Sequence, residues 1–382
     1  MVSYIIRRLL LMVPTIFGIL TITFLVIQLV PGGPLDQIRQ MVERSEAGGG
    51  MEAAGGAQFG ESEASRQGGL APEDFEKLKK VYHLDRPWYE RYMRTFIWFS
   101  RKDPDSSLLT AFFTWDNWDG MLLLKFGDSF YRNRNVLELI MDKLPVSASL
   151  GLWSFLLTYP SCILLGIVKA VREGTRLDIM TSILILIGYS IPGFVLAVLI
   201  IVLFGPGDAA IAHLVPLSGL TSAGVYGYEQ WSLWAKVMDY FHHVAAPVIC
   251  LSIGSFAVLT ILTKNSVLEE VRKQYVLTAR AKGLSGKRVL FKHILRNSMI
   301  PLVTGFPSRF VAIFFTGSVL IERIFNLDGI GLLGYTAVIQ RDYPVVMGNL
   351  FVMTLLGLFL QLITDICYVL VDPRISFESR ST

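Results

Sequence analysis

Charge is scarce in this sequence. Of 382 residues, 17% are Asp, Glu, Lys or Arg and 52% are hydrophobic. That balance is too apolar for an ordinary soluble protein, and the chain is long enough for several membrane crossings. Cysteine is scarcer still. Cys162, Cys250 and Cys367 all lie inside apolar stretches without CxxC spacing, which argues against disulfides and thiolate metal sites and for packed thiols. No Gly-x4-Gly-Lys-Ser/Thr motif occurs, so the chain cannot hydrolyse ATP through a P-loop, and Leu284-Ser285-Gly286-Lys287 is only superficially similar to one. No TVGYG-like filter is present to suggest a potassium-type channel. Gly329, Gly331 and Gly334 have GxGxxG spacing, but the dinucleotide fingerprint needs a preceding strand, and here the motif lies between two apolar runs. These glycines instead suit close packing of a short re-entrant or surface helix. His242-His243 has no carboxylate or thiol clustered with it in sequence, so an interfacial pair is expected rather than a metal site.

What is abundant is apolar run length. Six spans are expected, at Leu9–Val30, Val146–Val168, Ile179–Phe204, Val244–Leu262, Leu302–Ile321 and Val345–Leu370, each close to the ~20 residues a bilayer requires. The fold class is therefore an all-α polytopic membrane protein with six transmembrane helices. The first run is too long for a signal peptide, and Pro31-Gly32-Gly33-Pro34 is no small-residue cleavage site. Basic residues then orient the chain. Lys169, Arg172 and Arg176 lie between spans two and three and nine Lys/Arg lie from Lys264 to Arg296, against Lys236 alone in 205–243 and Arg323 and Arg341 in 323–344. By the positive-inside rule both termini and the 264–301 loop are cytoplasmic. The long loop 31–144 faces the opposite compartment and holds 15 Lys/Arg against 18 Asp/Glu. The expected organisation is thus 1–30 as N-terminus and first span, 31–144 as a periplasmic region, 145–370 as a core of five spans, and 371–382 as a cytoplasmic tail.

Within the long loop, residues 46–69 are rich in Gly, Ala and Glu and have almost nothing to bury, so a disordered or mobile insert is expected. Pro72 and Glu73-Asp74 suit the first turn of a following helix, with Phe75, Leu78 and Val81 on one face. Trp88–Phe99 is aromatic and amphipathic and reads as a helix packed on the bundle or the membrane surface.

The chain is organised around Lys264–Pro301, its one compact, strongly basic helical segment. Leu268, Val271, Tyr275 and Ala279 follow helical spacing, as do Val289, Leu290 and Ile294. Gly283 stands where a first helix should end in the left-handed region, and Ser285 where a second should be capped. The reading is a helix–glycine–helix elbow, too poor in apolar residues to enter lipid, projecting into solution as a handle.

The stretch TARAKGLSGKRVLFKHILRNSMIP resembles the coupling motif of ABC-importer permeases, in its oligopeptide/dipeptide branch. Against the general EAAxxxG pattern, Gly283 matches the Gly and Ala279 the second Ala, while Leu277 and Thr278 replace the Glu and first Ala, as in the peptide branch. Arg7-Arg8 with its neighbours, Pro31–Pro34, Arg341-Asp342-Tyr343-Pro344 and Val371-Asp372-Pro373-Arg374-Ile375 agree with it. The Pro-Gly-Gly-Pro wording, the Gly-rich insert and the DPRISFE ending are similar to the Yej-type permeases, a family associated with peptides and the peptide-nucleotide antibiotic microcin C. The resemblance implies a type I importer permease that is itself non-catalytic and binds no cofactor. It also implies a second homologous permease, two cytoplasmic ATPases that use ATP and Mg, and a periplasmic substrate-binding protein. Carried onto this sequence, it makes Thr278, Ala279, Arg280, Ala281, Lys282, Gly283 and Ser285 the ATPase-coupling residues. The alternatives are a scaffold whose basic elbow touches anionic lipid, and a secondary transporter, for which no convincing internal repeat is visible. Arg309 and Asp365 are intramembrane charges at comparable depth, expected to pair or to line the translocation path. Deletion of residues 46–69 is expected to leave the permease at its normal level in the membrane, as measured by immunoblot, because so little apolar area there could offset the ordering entropy; loss of the protein on deletion would contradict this.

Overall fold

The computed structural model describes residues 2–29, 87–93, 121–132, 134–206, 214–217, 219–312 and 319–371. The expected insert at 46–69 and the helix from Pro72 lie outside these residues. Regular structure among the described residues is helical apart from one isolated bridge between Asp128 and Asn135, as suits a chain that must satisfy its backbone within itself in lipid.

The elements in order are α1 (Val2–Leu29), α2 (Trp88–Arg91), α3 (Val136–Val171), α4 (Arg176–Ser190), α5 (Gly193–Phe204), α6 (Leu233–Val271), α7 (Gln274–Ala281), α8 (Gly286–Val289), α9 (Leu295–Ser298), α10 (Ile300–Ala312), α11 (Val319–Ile324), α12 (Ile330–Gln340) and α13 (Tyr343–Val371). Among the described residues, four stretches are long and apolar enough to cross a membrane: Tyr4–Val26 in α1, all of α3, all of α6, and Tyr343–Cys367 in α13. The expected span Ile179–Phe204 is not one straight helix. It breaks into α4 and α5, bent by 94°, because Pro192 disfavours helical backbone at Ile191, which is extended at φ −95° and ψ 117°. Counted as one span, the bent pair makes a fifth. The expected span Leu302–Ile321 is described only as α10 and α11, with 313–318 outside the described residues.

Helix α6 also departs from expectation. At 39 residues it is roughly 58 Å long against a hydrocarbon core of about 30 Å. The polar residues from Lys264 onward continue the helix instead of starting a separate one.

The chain divides into two compact units, one built from residues 1–4, 143–333 and 357–382, the other from 5–142 and 334–356. In the first, α3 and α6 approach so closely that a Cβ on Gly166 would stand 2.5 Å from Thr263 Cβ. The hydroxyls of Ser154 and Ser252 share a 2.9 Å hydrogen bond between the same helices. A Cβ on Gly193 would stand 2.4 Å from the Cys250 carbonyl oxygen, so α5 starts hard against α6. Leu150, Ala197, Val248, Ile321 and Phe325 fill one part of the core and Cys162, Leu259 and Leu302 another. Glu322 is fully buried; it accepts from the Ser147 hydroxyl at 2.9 Å and the Leu332 N–H at 2.7 Å, and Gly329 leaves room for its carboxylate. The GxGxxG glycines thus serve packing: Gly329 at the start of α12 and, in the second unit, Gly334 against Asn349.

In the second unit Asp342, 2% exposed, accepts from the Ser129 hydroxyl and from the Phe130 N–H at 3.2 Å. Burial raises the pKa of its carboxyl. Gly348 rests on Phe126 and Val136, and the Phe126 and Phe351 rings lie 5.6 Å apart. The Arg341-Asp342-Tyr343-Pro344 motif therefore ties the end of the long loop to the start of α13. His243 of the histidine pair is buried and hydrogen-bonds the Asp239 carbonyl at 2.9 Å, with that carboxylate 3.4 Å away. Asp239 is thus a carboxylate neighbour one turn back, which the sequence reading had not supplied. Even so, no group of three metal-ligating side chains forms among the described residues.

Gly166→Ala is expected to destabilise the purified protein by about 1–3 kcal/mol, since the methyl must displace Thr263. Gly254→Ala, where a Cβ meets nothing within 4 Å, should leave thermal stability in detergent unchanged or slightly raised.

Candidate functional site

The elbow is assembled from pieces too short to stand alone. Helix α6 ends at Val271, Arg272 and Lys273 form the corner, and α7 runs for eight residues. Gly283 then adopts φ +79°, the left-handed region the sequence reading assigned to it. The first helix of that reading is thus two: the tail of α6 carries Leu268 and Val271, while Tyr275 and Ala279 belong to α7. Beyond the glycine, α8 passes into a π-helical turn at Leu290–Ile294, then α9 and α10. Ser285 does hold the N-cap position of α8, but its side chain makes no capping hydrogen bond.

Packing fixes these pieces. Val276, Ala279, Val289 and Ile294 are buried together with Ala170 of α3 and Val267 of α6, and Leu268, Val271, Tyr275 and Leu290 pack around them. The elbow therefore closes on the ends of two long helices. Polar ties add to this. Glu270, 8% exposed, accepts from the Lys273 ammonium and the Tyr275 hydroxyl, and Asn297 donates to that hydroxyl at 3.2 Å. The hydrogen bond to Glu270 raises the pKa of Lys273, and burial raises that of Tyr275.

What remains outside is uniform in charge. Between Arg272 and Arg296 stand eight Lys/Arg and no Asp or Glu, and all eight basic residues are exposed. Two large apolar side chains are exposed among them, Leu277 and Phe291 at 59% and 69%. Thr278, Arg280, Ala281, Lys282, Gly283 and Ser285 share this exposed side, while Ala279 faces the core. A positive surface with two apolar protrusions is suited to a groove with an acidic rim on another protein.

Of the other two sequence-derived positions, Asp365 is described in full. Asp365 of α13 is buried and accepts from the Tyr4 hydroxyl at 3.0 Å and from Gln361 at 3.3 Å. Arg309 belongs to α10, but its side chain lies outside the described residues. A grouping the sequence reading did not find is Lys169, Asp178 and Lys264, brought together where α3, α4 and α6 meet beside the elbow. Lys169 figures in the sequence only as a charge counted for orientation and Lys264 as the start of the elbow segment, and spacings of 9 and 86 residues give no local signal.

Residues 162–377, which include the elbow, match the family described as binding-protein-dependent transport system inner membrane component. The chain belongs to this family. It is 45% identical over 99% of both chains to the peptidoglycan transport system permease protein YejB of Agrobacterium fabrum, and 46% identical over 99% of its length to the inner membrane ABC transporter permease protein YejB of Escherichia coli O157:H7, all of which is covered. The dipeptide transport system permease protein DppB of Lactococcus lactis is 32% identical over 98% of this chain and 99% of its own. The Yej-type likeness of the sequence is thereby shown, and the permease is a membrane component of a transport system.

Ser285→Ala should change thermal stability by less than about 0.5 kcal/mol, because no capping bond is lost. Tyr275→Phe should cost about 1–2 kcal/mol by leaving Glu270 and Asn297 short of a partner, read as a shift of the melting curve in detergent.

Proposed function

We propose that this chain is the permease subunit of an ATP-driven importer that moves peptides or peptide-like compounds from periplasm to cytoplasm. The observation that carries the reading is the elbow: eight exposed cations, Leu277 and Phe291, presented on short helices that are packed onto α3 and α6. With no P-loop of its own, the permease takes its energy from two cytoplasmic ATPases that use ATP and Mg and grip the elbow. A second homologous permease completes the path, and a periplasmic binding protein delivers the substrate. Of the relatives, one is named for peptidoglycan and another for dipeptide transport; a peptide chain is the chemistry the two share.

In this reading both termini and the elbow are cytoplasmic, following the basic excess at Lys169, Arg172, Arg176 and the elbow. Closure of the ATPase pair brings the two elbows together, and because the elbow shares one core with the ends of α3 and α6, those spans tilt with it and open the path outward. Release resets the path inward, which is alternating access by rigid-body rocking. Arg309 and Asp365 are candidate path residues, Asp365 held in place by Tyr4 and Gln361.

The test is Gly283→Val. No atom stands within 4 Å of the added Cβ, so the cost is backbone strain, on the order of 1–2 kcal/mol. The permease should still insert, while peptide uptake by the reconstituted complex falls, through loss of the ATPases or loss of coupling. Wild-type uptake would show that the elbow does not transmit the stroke.

A further inference from the structure

Lys169 is 1% exposed, and its Nζ donates to the Asp178 carbonyl at 2.8 Å, Thr181 Oγ1 at 2.9 Å and Ser182 Oγ at 2.7 Å, with the Asp178 carboxylate 3.0 Å away. The same carboxylate, 5% exposed, takes Lys264 Nζ at 2.9 and 2.8 Å through its two oxygens and the Gly174 N–H at 3.2 Å. Three helices thus meet in three charges: the end of α3, the start of α4 and the middle of the elbow-side half of α6. Buried ion pairs are poor sources of stability, since desolvation offsets most of their attraction, but they fix which groups must sit together.

The surroundings show what the cluster joins. One turn before Lys169, Gly166 meets Thr263, the residue before Lys264, so α3 and α6 are locked directly. Ile167, Ala170, Val267 and Leu268 belong to the core that closes the elbow. These two helices and the elbow therefore form one packed block. Helix α4 also packs on α6, where a Cβ on Gly188 would stand 3.2 Å from Ile253, and it adds a polar tie. Between it and that block lies an apolar cavity of about 390 Å³, bordered by Leu165, Leu184, Ile185, Ile253 and Phe256. The cavity lies beside the α4–α6 contact; at its elbow-proximal end α4 is tied through Asp178.

We propose that the Lys264–Asp178 bridge is a positioning joint that makes the elbow-proximal end of α4 follow the elbow. This rests on the reading of the elbow as the coupling site. A displacement of the elbow moves α6 directly, and at the elbow-proximal end of α4 it acts through the Asp178 carboxylate, held by Lys264 on one side and Lys169 on the other.

Lys264→Met tests this with little risk to folding, because Asp178 keeps Lys169 as its partner and no buried charge is stranded. In the reconstituted complex with ATPases, partner permease and binding protein, the variant should reach the wild-type level and recover the ATPases. Hydrolysis should persist, while peptide uptake per ATP hydrolysed falls on the order of fivefold or more. Lys264→Arg, which keeps the bridge, should restore the ratio. The double variant Asp178→Asn/Lys264→Met keeps the cluster's net charge at +1, since two lysines and one carboxylate become Lys169 alone, and should be uncoupled at least as strongly, because it also removes the ion pair with Lys169. An unchanged ratio in Lys264→Met, or uptake that falls only in proportion to permease level, overturns the joint. Gly283→Val measured alongside separates the two failures: if it lowers uptake while Lys264→Met does not, only the joint is wrong, and if it leaves uptake intact the coupling reading falls first.

Discussion

The apolar closure of the elbow onto α3 and α6 is the constraint on which the rest of the site depends. Helices of eight and four residues are too short to persist in water by themselves, since isolated helices below about 12–15 residues are marginal. Val276, Ala279, Val289 and Ile294 give them shape by packing against Ala170 and Val267. That closure has two consequences at once. It turns the basic residues outward as one surface, and it denies the elbow any motion independent of the two long helices. A handle that swung freely would bind a partner and transmit nothing.

Buried charge in this chain follows the same logic of attachment. Lys169, Asp178 and Lys264 join three helices; Glu322 joins α11 to the start of α12 and to Ser147 of α3; Asp342 joins the residues after Phe126 to the start of α13. Each carboxylate receives donors from a segment other than its own, and at each a misplaced segment would strand a charge. Gly166, Gly193 and Gly329 do the complementary work, letting helices and carboxylates approach where a Cβ would stand 2.5 Å or less from its neighbour.

Long apolar runs made four spans and a bent fifth legible, and the left-handed turn at Gly283 and the apolar residues of the elbow core were legible from spacing. The misreadings have physical causes. Hydropathy cannot tell a helix that leaves the bilayer from a loop, so Lys264–Val271 looked like the start of a new helix when it is the end of α6. Pro192 carried the signal for the break between α4 and α5, but the surrounding apolar run hid it. Ser285 was placed correctly and given the wrong bond, because capping depends on a rotamer and not on position. Lys169 and Asp178 meet Lys264 only through the packing of three helices, and nothing local in the sequence announces that.

The exposed basic side of the elbow is the proposed seat of an ATPase subunit. Its most direct test is site-specific photo-crosslinking in the assembled transporter, with a photoreactive residue at Lys282 and, as a control, at exposed Trp234 at the far end of α6. The expected result is an adduct with the ATPase subunit from position 282 and none from position 234. Adducts from position 282 with lipid alone, in a complex that still contains the ATPases, would contradict it.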